Sequence, residues 1–115
     1  MLIRIDEQAS QPIFTQIAAQ IRRAIADGTL PPGRRIPPAR ELAEGLGVNM
    51  HTVLRAYNEL RDEGLVEMRR RRGVTVREDA AVHAPLSQLA RELVTHARRV
   101  GLDDQHIRDL LEAHL

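Results

Sequence analysis

Isoleucine recurs at every fourth position near the start of the chain. The four residues are Ile13, Ile17, Ile21 and Ile25. Apolar residues at this spacing line one face of an α-helix. Pro12 suits the first position of a helix, and Asp27-Gly28 suits its end. The pattern therefore predicts a first helix from Pro12 to about Asp27, preceded by a short strand or extended arm over residues 2–5.

Two further helical patterns follow, separated by glycine. Pro38 can open a second helix, and Gly47 suits the turn after it. The apolar face of this helix consists of Ala39, Leu42, Ala43 and Leu46. Asn49 is a good N-cap for a third helix, which we expect to run to about Glu63. The spacing predicts that the third helix buries Val53, Ala56, Tyr57 and Leu60, with His51 and Arg55 on the opposite side.

A β-hairpin is predicted after the third helix. Residues 65–68 and 74–76 have the apolar and β-branched residues typical of strands. The tip between them contains Arg70, Arg71, Arg72 and Gly73. The first 77 residues thus have the pattern of a winged helix-turn-helix, a mainly α fold with a small β-hairpin wing.

The rest of the chain predicts a linker at 78–84 and a two-helix tail at 85–115. Pro85 precedes an apolar period of three and four residues, Gly101 ends it, and Asp103 can cap the last helix. Two such helices cannot cover their apolar stripes alone, so we expect a second copy of the chain to cover them. The residues predicted for dimerisation are Leu86, Leu89, Leu93, Ala97, Ile107, Leu110 and Leu111.

Charge is distributed unevenly along the chain. The formal net charge is only +1, but residues 1–77 carry +4 and residues 78–115 carry −3. This asymmetry is typical of a protein in which one part contacts a polyanion. Cysteine is absent, which excludes a disulfide framework and a thiolate metal site. No apolar run approaches the roughly 18 residues that span a bilayer, so we expect a cytoplasmic protein without a membrane partner.

The helix-turn-helix pattern indicates double-stranded DNA as the partner. In this fold the start of the second helix of the pair enters the major groove, where side chains reach base edges. The residues predicted to do so are Asn49, Met50, His51, Thr52 and Arg55. Asn can pair bidentately with adenine, Arg can pair with guanine, and Met50 or Thr52 can contact a thymine methyl group.

Further arginines are predicted to contact the phosphate backbone. Arg40 stands near the start of the second helix, although pairing with Glu44 four residues later is an alternative. Arg34 and Arg35 either contact phosphates or are merely solvated. The consecutive arginines of the wing repel one another, and a nearby polyanion relieves that repulsion. We therefore predict that Arg70, Arg71, Arg72 and Gly73 contact DNA.

Other classes of function have weaker support. Aromatic residues are too few for the stacking platform of a single-strand binder, and Tyr57 and Phe14 are interpreted as core residues. His96, His106 and His114 lack the spacing of a metal site. No nucleophile–base pair or phosphate-binding glycine loop is visible, so we predict neither an enzyme nor a cofactor.

These segments together resemble the GntR family of bacterial transcription regulators. The similar segments are Pro12-Ile13-Phe14-Thr15-Gln16-Ile17, Pro31-Pro32-Gly33, Ile36-Pro37-Pro38-Ala39-Arg40-Glu41-Leu42-Ala43 and Arg70-Arg71-Arg72-Gly73. The stretch from Asn49 to Tyr57 and the short tail are most similar to the YtrA-type branch. This resemblance implies a homodimeric winged-helix repressor whose tail helices dimerise, often controlling its own operon and frequently an ABC transporter.

The chain also departs from the family pattern. Pro38 replaces a serine that would cap the second helix. Met50 and Leu54 stand where many relatives carry arginine, which makes Arg55 the main candidate for a base contact. Arg71 replaces the first glycine of the wing, so a phosphate contact is favoured there over deep entry into the minor groove.

We therefore expect a homodimeric repressor that binds an inverted repeat with half-sites about one helical turn apart. A protein-interaction module built on a winged helix remains an alternative, and it predicts little salt dependence. A ligand-gated sensor is a second alternative, in which a small-molecule effector of unknown identity binds between the tail and the DNA-binding domain.

Overall fold

The fold is described from a computed structural model, in which residues 2–70 and 73–115 are described. The helices are α1 (Ile13–Ala26), α2 (Ala39–Leu46), α3 (Met50–Asp62), α4 (Ala80–Arg99) and α5 (Asp104–Glu112). The strands are β1 (Arg35–Ile36), β2 (Val66–Arg69) and β3 (Gly73–Val76). This arrangement confirms the predicted mainly α fold with a winged helix-turn-helix. Contacts between residues divide the chain into two units, Met1–Pro85 and Leu86–Leu115.

The core of the first unit forms where α1 packs against α3. Ile17, Ile21 and Ile25 of α1 are buried, as their four-residue spacing predicts. The four residues predicted for the inner face of α3, Val53, Ala56, Tyr57 and Leu60, are each completely buried. Burial of apolar surface is the main favourable term in folding. The isoleucine stripe therefore fixes which face of α3 points outward.

A glycine turn joins α2 to α3. Gly47 ends α2 with φ of +69°, in the left-handed region that favours glycine. The N–H of Val48 then donates to the carbonyl of Ala43 at 3.0 Å, which satisfies one of the acceptors that a helix end leaves open. Pro38 precedes α2 without a side-chain cap, as its replacement of serine predicts. This turn fixes the direction in which α3 leaves α2.

The sheet contains a strand that the sequence pattern does not predict. Its strand order is β1-β3-β2, with antiparallel pairing throughout. The N–H of Gly33 donates to the carbonyl of Val76 at 2.8 Å, which continues the pairing at the outer end of β1. A two-residue strand shows no alternation of its own, so only its pairing with β3 identifies it. The hairpin predicted at 65–68 and 74–76 is confirmed, with each strand shifted or extended by one residue.

The fourth helix begins earlier than predicted. Residues 80–84, which the sequence pattern places in a linker, belong to α4, and Pro85 lies inside the helix. Ala80 and Ala84 are buried in the core of the first unit. Alanines four residues apart can pack closely without the large apolar residues that make a helical period visible. The assignment of residues 85–115 to a separate dimerisation tail remains a prediction.

The last helix has the predicted cap. The Asp103 carboxylate accepts a hydrogen bond from the backbone N–H of His106 at 2.9 Å. This bond, together with the His106 side chain, lowers the pKa of Asp103. Arg98 and Asp104 form an ion pair beside the cap. No helix within the described residues is long and apolar enough to cross a membrane.

Candidate nucleic-acid interface

The start of α3 is fixed by a side-chain cap. The carboxamide oxygen of Asn49 accepts a hydrogen bond from the backbone N–H of His51 at 2.7 Å. It thereby satisfies one of the donors that a helix start leaves without a partner. Bidentate pairing of Asn49 with adenine would need the same oxygen as an acceptor. The oxygen has two lone pairs, of which the cap occupies one, and the cap uses neither N–H of the amide NH2.

The residues that follow the cap differ in exposure. His51 and Arg55 are exposed, whereas Met50 and Thr52 are half-buried. The side chain of Met50 packs against the hydrophobic core. The outward surface of the first turns of α3 therefore belongs mainly to His51 and Arg55.

Arg55 rests on an aromatic ring of the neighbouring helix. Its guanidinium carbon lies 3.9 Å from the centroid of the Phe14 ring. The face of an aromatic ring is electronegative and attracts a cation at this distance. Phe14 is half-buried and packs against the core, which confirms its interpretation as a core residue. The sequence pattern gives no sign of its contact with Arg55, because that contact depends on how α1 crosses α3.

The start of α2 lies beside the start of α3. Arg40 and Met50 line one surface cavity of about 430 Å³. Arg40 is exposed, and within residues 2–70 and 73–115 it forms no ion pair with Glu44. The alternative prediction, in which Arg40 pairs with Glu44, therefore does not hold in the described residues. The charge of Arg40 is available to a partner.

The wing is formed by β2 and β3. Its two strands close with the pairing of Arg69 and Gly73, where Gly73 has φ of +75°. Arg70 is exposed, whereas Arg69 donates to the Glu67 carboxylate from both Nε and Nη2, at 3.1 and 2.8 Å. The predicted contacts Arg71 and Arg72 lie outside the described residues. Of the two described wing arginines, Arg70 is thus the one without a neutralising carboxylate.

Arg34 and Arg35 are attached to the same sheet as the wing. Both are exposed, and Arg35 lies opposite Thr75 of β3. The carbonyl of Arg34 accepts a hydrogen bond from the N–H of Val76 at 2.9 Å. The unpredicted strand β1 therefore fixes the backbone of both arginines to the wing.

An apolar groove of about 240 Å³ separates α3 from the wing. Its lining includes Ala39 of α2, Leu54 of α3, and Met68, Arg70 and Val74 of the wing. The structure thus brings together the three elements that the sequence predicts to contact DNA.

Tyr57 fastens α3 to the segment before α2. Its hydroxyl donates a hydrogen bond to the carbonyl of Pro37 at 2.6 Å. Burial, and to a smaller extent the charge of Glu41, raises the pKa of Tyr57. The side chain is completely buried, which confirms its interpretation as a core residue. This bond holds the helix pair in a fixed arrangement beneath the exposed surface.

The residues predicted for dimerisation differ in their exposure. Leu86, Leu89, Leu110 and Leu111 are exposed to between 40% and 61%. Leu93 is half-buried, while Ala97 and Ile107 are buried within the single chain. The exposed leucines therefore contribute to the apolar surface that the tail leaves open, whereas the two buried residues offer little of it.

Among residues 2–70 and 73–115, no group of three or more histidine, aspartate or glutamate side chains is placed to hold a metal ion. Nδ1 of His106 lies 2.7 Å from the capping carboxylate of Asp103. In this contact His106 supports a helix cap.

The chain is similar in sequence to bacterial transcription regulators. Residues 14–76 match the model for bacterial regulatory proteins of the gntR family. The HTH-type transcriptional repressor YtrA of Bacillus subtilis is 30% identical over 117 residues, which cover 96% of this chain and 90% of YtrA. These matched proteins are transcription regulators, not enzymes.

The fold is similar to those of solved regulators. YtrA from Sulfolobus acidocaldarius, a GntR-family transcription factor, is 41% identical with a TM-score of 0.65, covering 82% of this chain and 99% of that one. The DNA-binding domain of AraR, solved in complex with operator ORX1, is 26% identical with a TM-score of 0.58. That match covers 66% of this chain and 95% of the AraR domain.

Proposed function

The chain belongs to the GntR family of bacterial regulatory proteins, and we propose that this YtrA-like, DNA-binding regulator represses transcription from an inverted-repeat operator as a homodimer. One observation carries the proposal. The exposed start of α3 lies on one surface with Arg40 of α2, and the apolar groove separates it from the wing. A helix-turn-helix needs this combination of a protruding helix start and flanking cations.

Base recognition is assigned to the start of α3. Arg55 is exposed and free to present a pair of N–H groups to O6 and N7 of guanine. His51 and the amide NH2 of Asn49 supply further donors beside it. Met50 or the methyl group of Thr52 contacts a thymine methyl group. The operator should therefore contain guanine at the position that Arg55 reaches.

Phosphate binding is assigned to the arginines around α3. Arg40 lies beside the start of α3, Arg34 and Arg35 lie beside the wing, and Arg70 belongs to the wing. Arg71, Arg72 and Gly73 complete the set that the sequence predicts. Each phosphate contact releases counterions, so about six contacts should weaken binding by roughly a thousandfold between 50 and 200 mM salt.

Dimerisation is assigned to the exposed leucines of the tail. Leu86 and Leu89 of α4 and Leu110 and Leu111 of α5 present apolar surface that a second copy can cover. A symmetric dimer reads two half-sites about one helical turn apart, which implies an inverted repeat.

Repression would follow from blocking polymerase at the operator. The name of the Bacillus subtilis relative, a transcriptional repressor, supports repression over activation. By the family resemblance we further propose that the protein controls its own operon, with an ABC transporter among its genes, and acts in the cytoplasm.

Selection of bound duplexes from a random DNA pool tests this function. The proposal predicts enrichment of an inverted repeat containing guanine, bound tightly at low salt and weakly at high salt. Salt-sensitive binding without enrichment would contradict operator recognition. Absence of any binding would favour the protein-interaction module instead. A matched pool incubated with a variant in which Arg70, Arg71 and Arg72 are changed to Ala should give weaker enrichment of the same repeat.

A further inference from the structure

We propose that Phe14 is a positioning residue for DNA recognition, whose ring holds the guanidinium of Arg55 in place before the operator binds. This inference rests on the proposed function, because Arg55 is the residue assigned to guanine. Phe14 itself acts through Arg55 and is not assigned a contact with DNA.

The contact between the two residues has the geometry of a cation–π interaction. The guanidinium carbon of Arg55 lies over the Phe14 ring at 3.9 Å from its centroid, well within the roughly 6 Å over which such attraction acts. A guanidinium is planar and weakly hydrated, so it stacks on an aromatic face and keeps the N–H groups at its edge available. The contact therefore orients the side chain and leaves its hydrogen-bonding capacity intact.

Arg55 has no other anchor in the described part of the chain. Within residues 2–70 and 73–115 it donates no hydrogen bond and joins no ion pair. The exposed arginines Arg61, Arg69 and Arg77, by contrast, each pair with a neighbouring carboxylate. Arg55 thus keeps its full charge and all its donors, while the ring restricts where they are.

Phe14 is itself held firmly enough to serve as a platform. It is the second residue of α1, is half-buried, and packs against the hydrophobic core. Because α1 packs against α3 along the isoleucine stripe, the ring and the arginine keep their separation when the protein is free. Binding DNA then fixes less of the rotamer freedom of Arg55, and preorganisation of this kind raises affinity.

The proposal predicts a specific pattern in a double-mutant cycle. Phe14→Leu removes the ring but keeps an apolar residue, and should weaken binding to the selected operator by about two- to tenfold. In an Arg55→Ala background, Phe14→Leu should have no further effect. In an Arg40→Ala background it should weaken binding as it does in the parent, because Arg40 does not contact the ring. Phe14→Tyr keeps an aromatic face and should bind within about twofold of the parent.

A readout that needs no DNA separates this inference from the proposed function. In the free parent protein, the ring should shift the side-chain proton resonances of Arg55 upfield relative to those of Arg61, and Phe14→Leu should abolish the shift. Absence of the shift in the parent would overturn the inference, even if Phe14→Leu failed to fold. Equal weakening by Phe14→Leu in the parent and Arg55→Ala backgrounds would also overturn it, since the ring would then act on the fold. If instead the parent enriched no duplex, the proposed function would fail while the ring-current result still stood.

Discussion

Arg22 of α1 and Glu63, the residue that ends α3, form a buried two-pronged ion pair. Nε and Nη2 of Arg22 donate to the two carboxylate oxygens of Glu63 at 3.0 and 2.9 Å. The side chains are only 5% and 16% exposed. The pair therefore joins the middle of α1 to the far end of the helix whose start is assigned to DNA.

Breaking this pair should destabilise the fold strongly. Glu63→Leu leaves the buried charge of Arg22 without its carboxylate and should lower the free energy of unfolding by about 3 kcal/mol. The double variant Arg22→Met with Glu63→Leu should recover part of this loss, because the buried charge of Arg22 is removed as well. Chemical denaturation followed by circular dichroism measures both, with Asp62→Ala at the exposed Arg61–Asp62 pair as a control expected to cost less than about 1 kcal/mol. An equal loss of unfolding free energy in the single and double variants would show that the unpaired charge of Arg22 is not the cause of the destabilisation.

The single tyrosine of the chain reports on the packing of α3. Because burial raises the pKa of Tyr57, its phenol should stay protonated in the folded protein above its usual pKa of 10.0. The raised pKa of Tyr57 contributes fully to the stability of the folded protein at a pH below 10.0, the pKa of the unfolded chain. That contribution is lost as the pH rises above this value. Absorbance at the tyrosinate band should therefore rise together with alkaline unfolding. A separate tyrosinate step in a folded protein would show that Tyr57 is accessible to solvent.

At the opposite end of the pH scale, the cap of α5 should weaken. The pKa of Asp103 is lowered below its usual value of 3.8, chiefly by the hydrogen bond from the His106 N–H. The ionised Asp103 carboxylate stabilises the folded protein at a pH above that usual value. This contribution is lost as the pH falls through the lowered pKa of Asp103. Asp103→Asn keeps a capping oxygen that does not titrate. Helicity measured between about pH 5 and pH 1 should fall less in this variant than in the parent. Identical dependence of helicity on pH in the two proteins would show that Asp103 does not contribute to the acid sensitivity of the fold.

The tail should determine the oligomeric state. Changing Leu86 and Leu89 to Glu places charges on residues that are 59% and 61% exposed, so each chain should still fold. The same charges should prevent a second copy from covering the surface, because buried unpaired carboxylates are costly. Light scattering should give a dimer mass for the parent and a monomer mass for the double variant. Gln88→Glu is a control at an exposed neighbouring position, and a monomeric parent at micromolar concentration would refute the dimer.

Features that depend on neighbouring residues in the chain were predictable. The isoleucine spacing indicates α1, and Asn49 and Asp103 cap the helices that follow them. Gly47 likewise marks the end of α2 in the sequence, and the structure contains the turn at that residue. Each of these signals lies within one turn of the element that it specifies.

Features that depend on distant pairing were not predictable. Strand β1 exists because Arg35 and Ile36 pair with β3 about forty residues later. Ala80 and Ala84 are too small to reveal in the sequence that α4 begins at Ala80, and their burial in the core appears only in the structure. The contacts Phe14–Arg55 and Arg22–Glu63 each join two helices whose crossing the pattern does not specify. The candidate DNA contacts, by contrast, follow from the order of the helix-turn-helix elements, and they remain predictions.

The most direct test of base reading by α3 compares two arginines of the same helix. Arg55 lies near its start, whereas Arg61 lies in its last turn and pairs with Asp62. Binding of the Arg55→Ala and Arg61→Ala variants is measured on the selected operator and on a scrambled duplex. We predict that Arg55→Ala loses about 1–3 kcal/mol on the operator and much less on the scrambled duplex, while Arg61→Ala binds both like the parent. An Arg55→Ala variant that binds the operator as tightly as the parent would contradict the assignment of α3 as the helix that reads DNA.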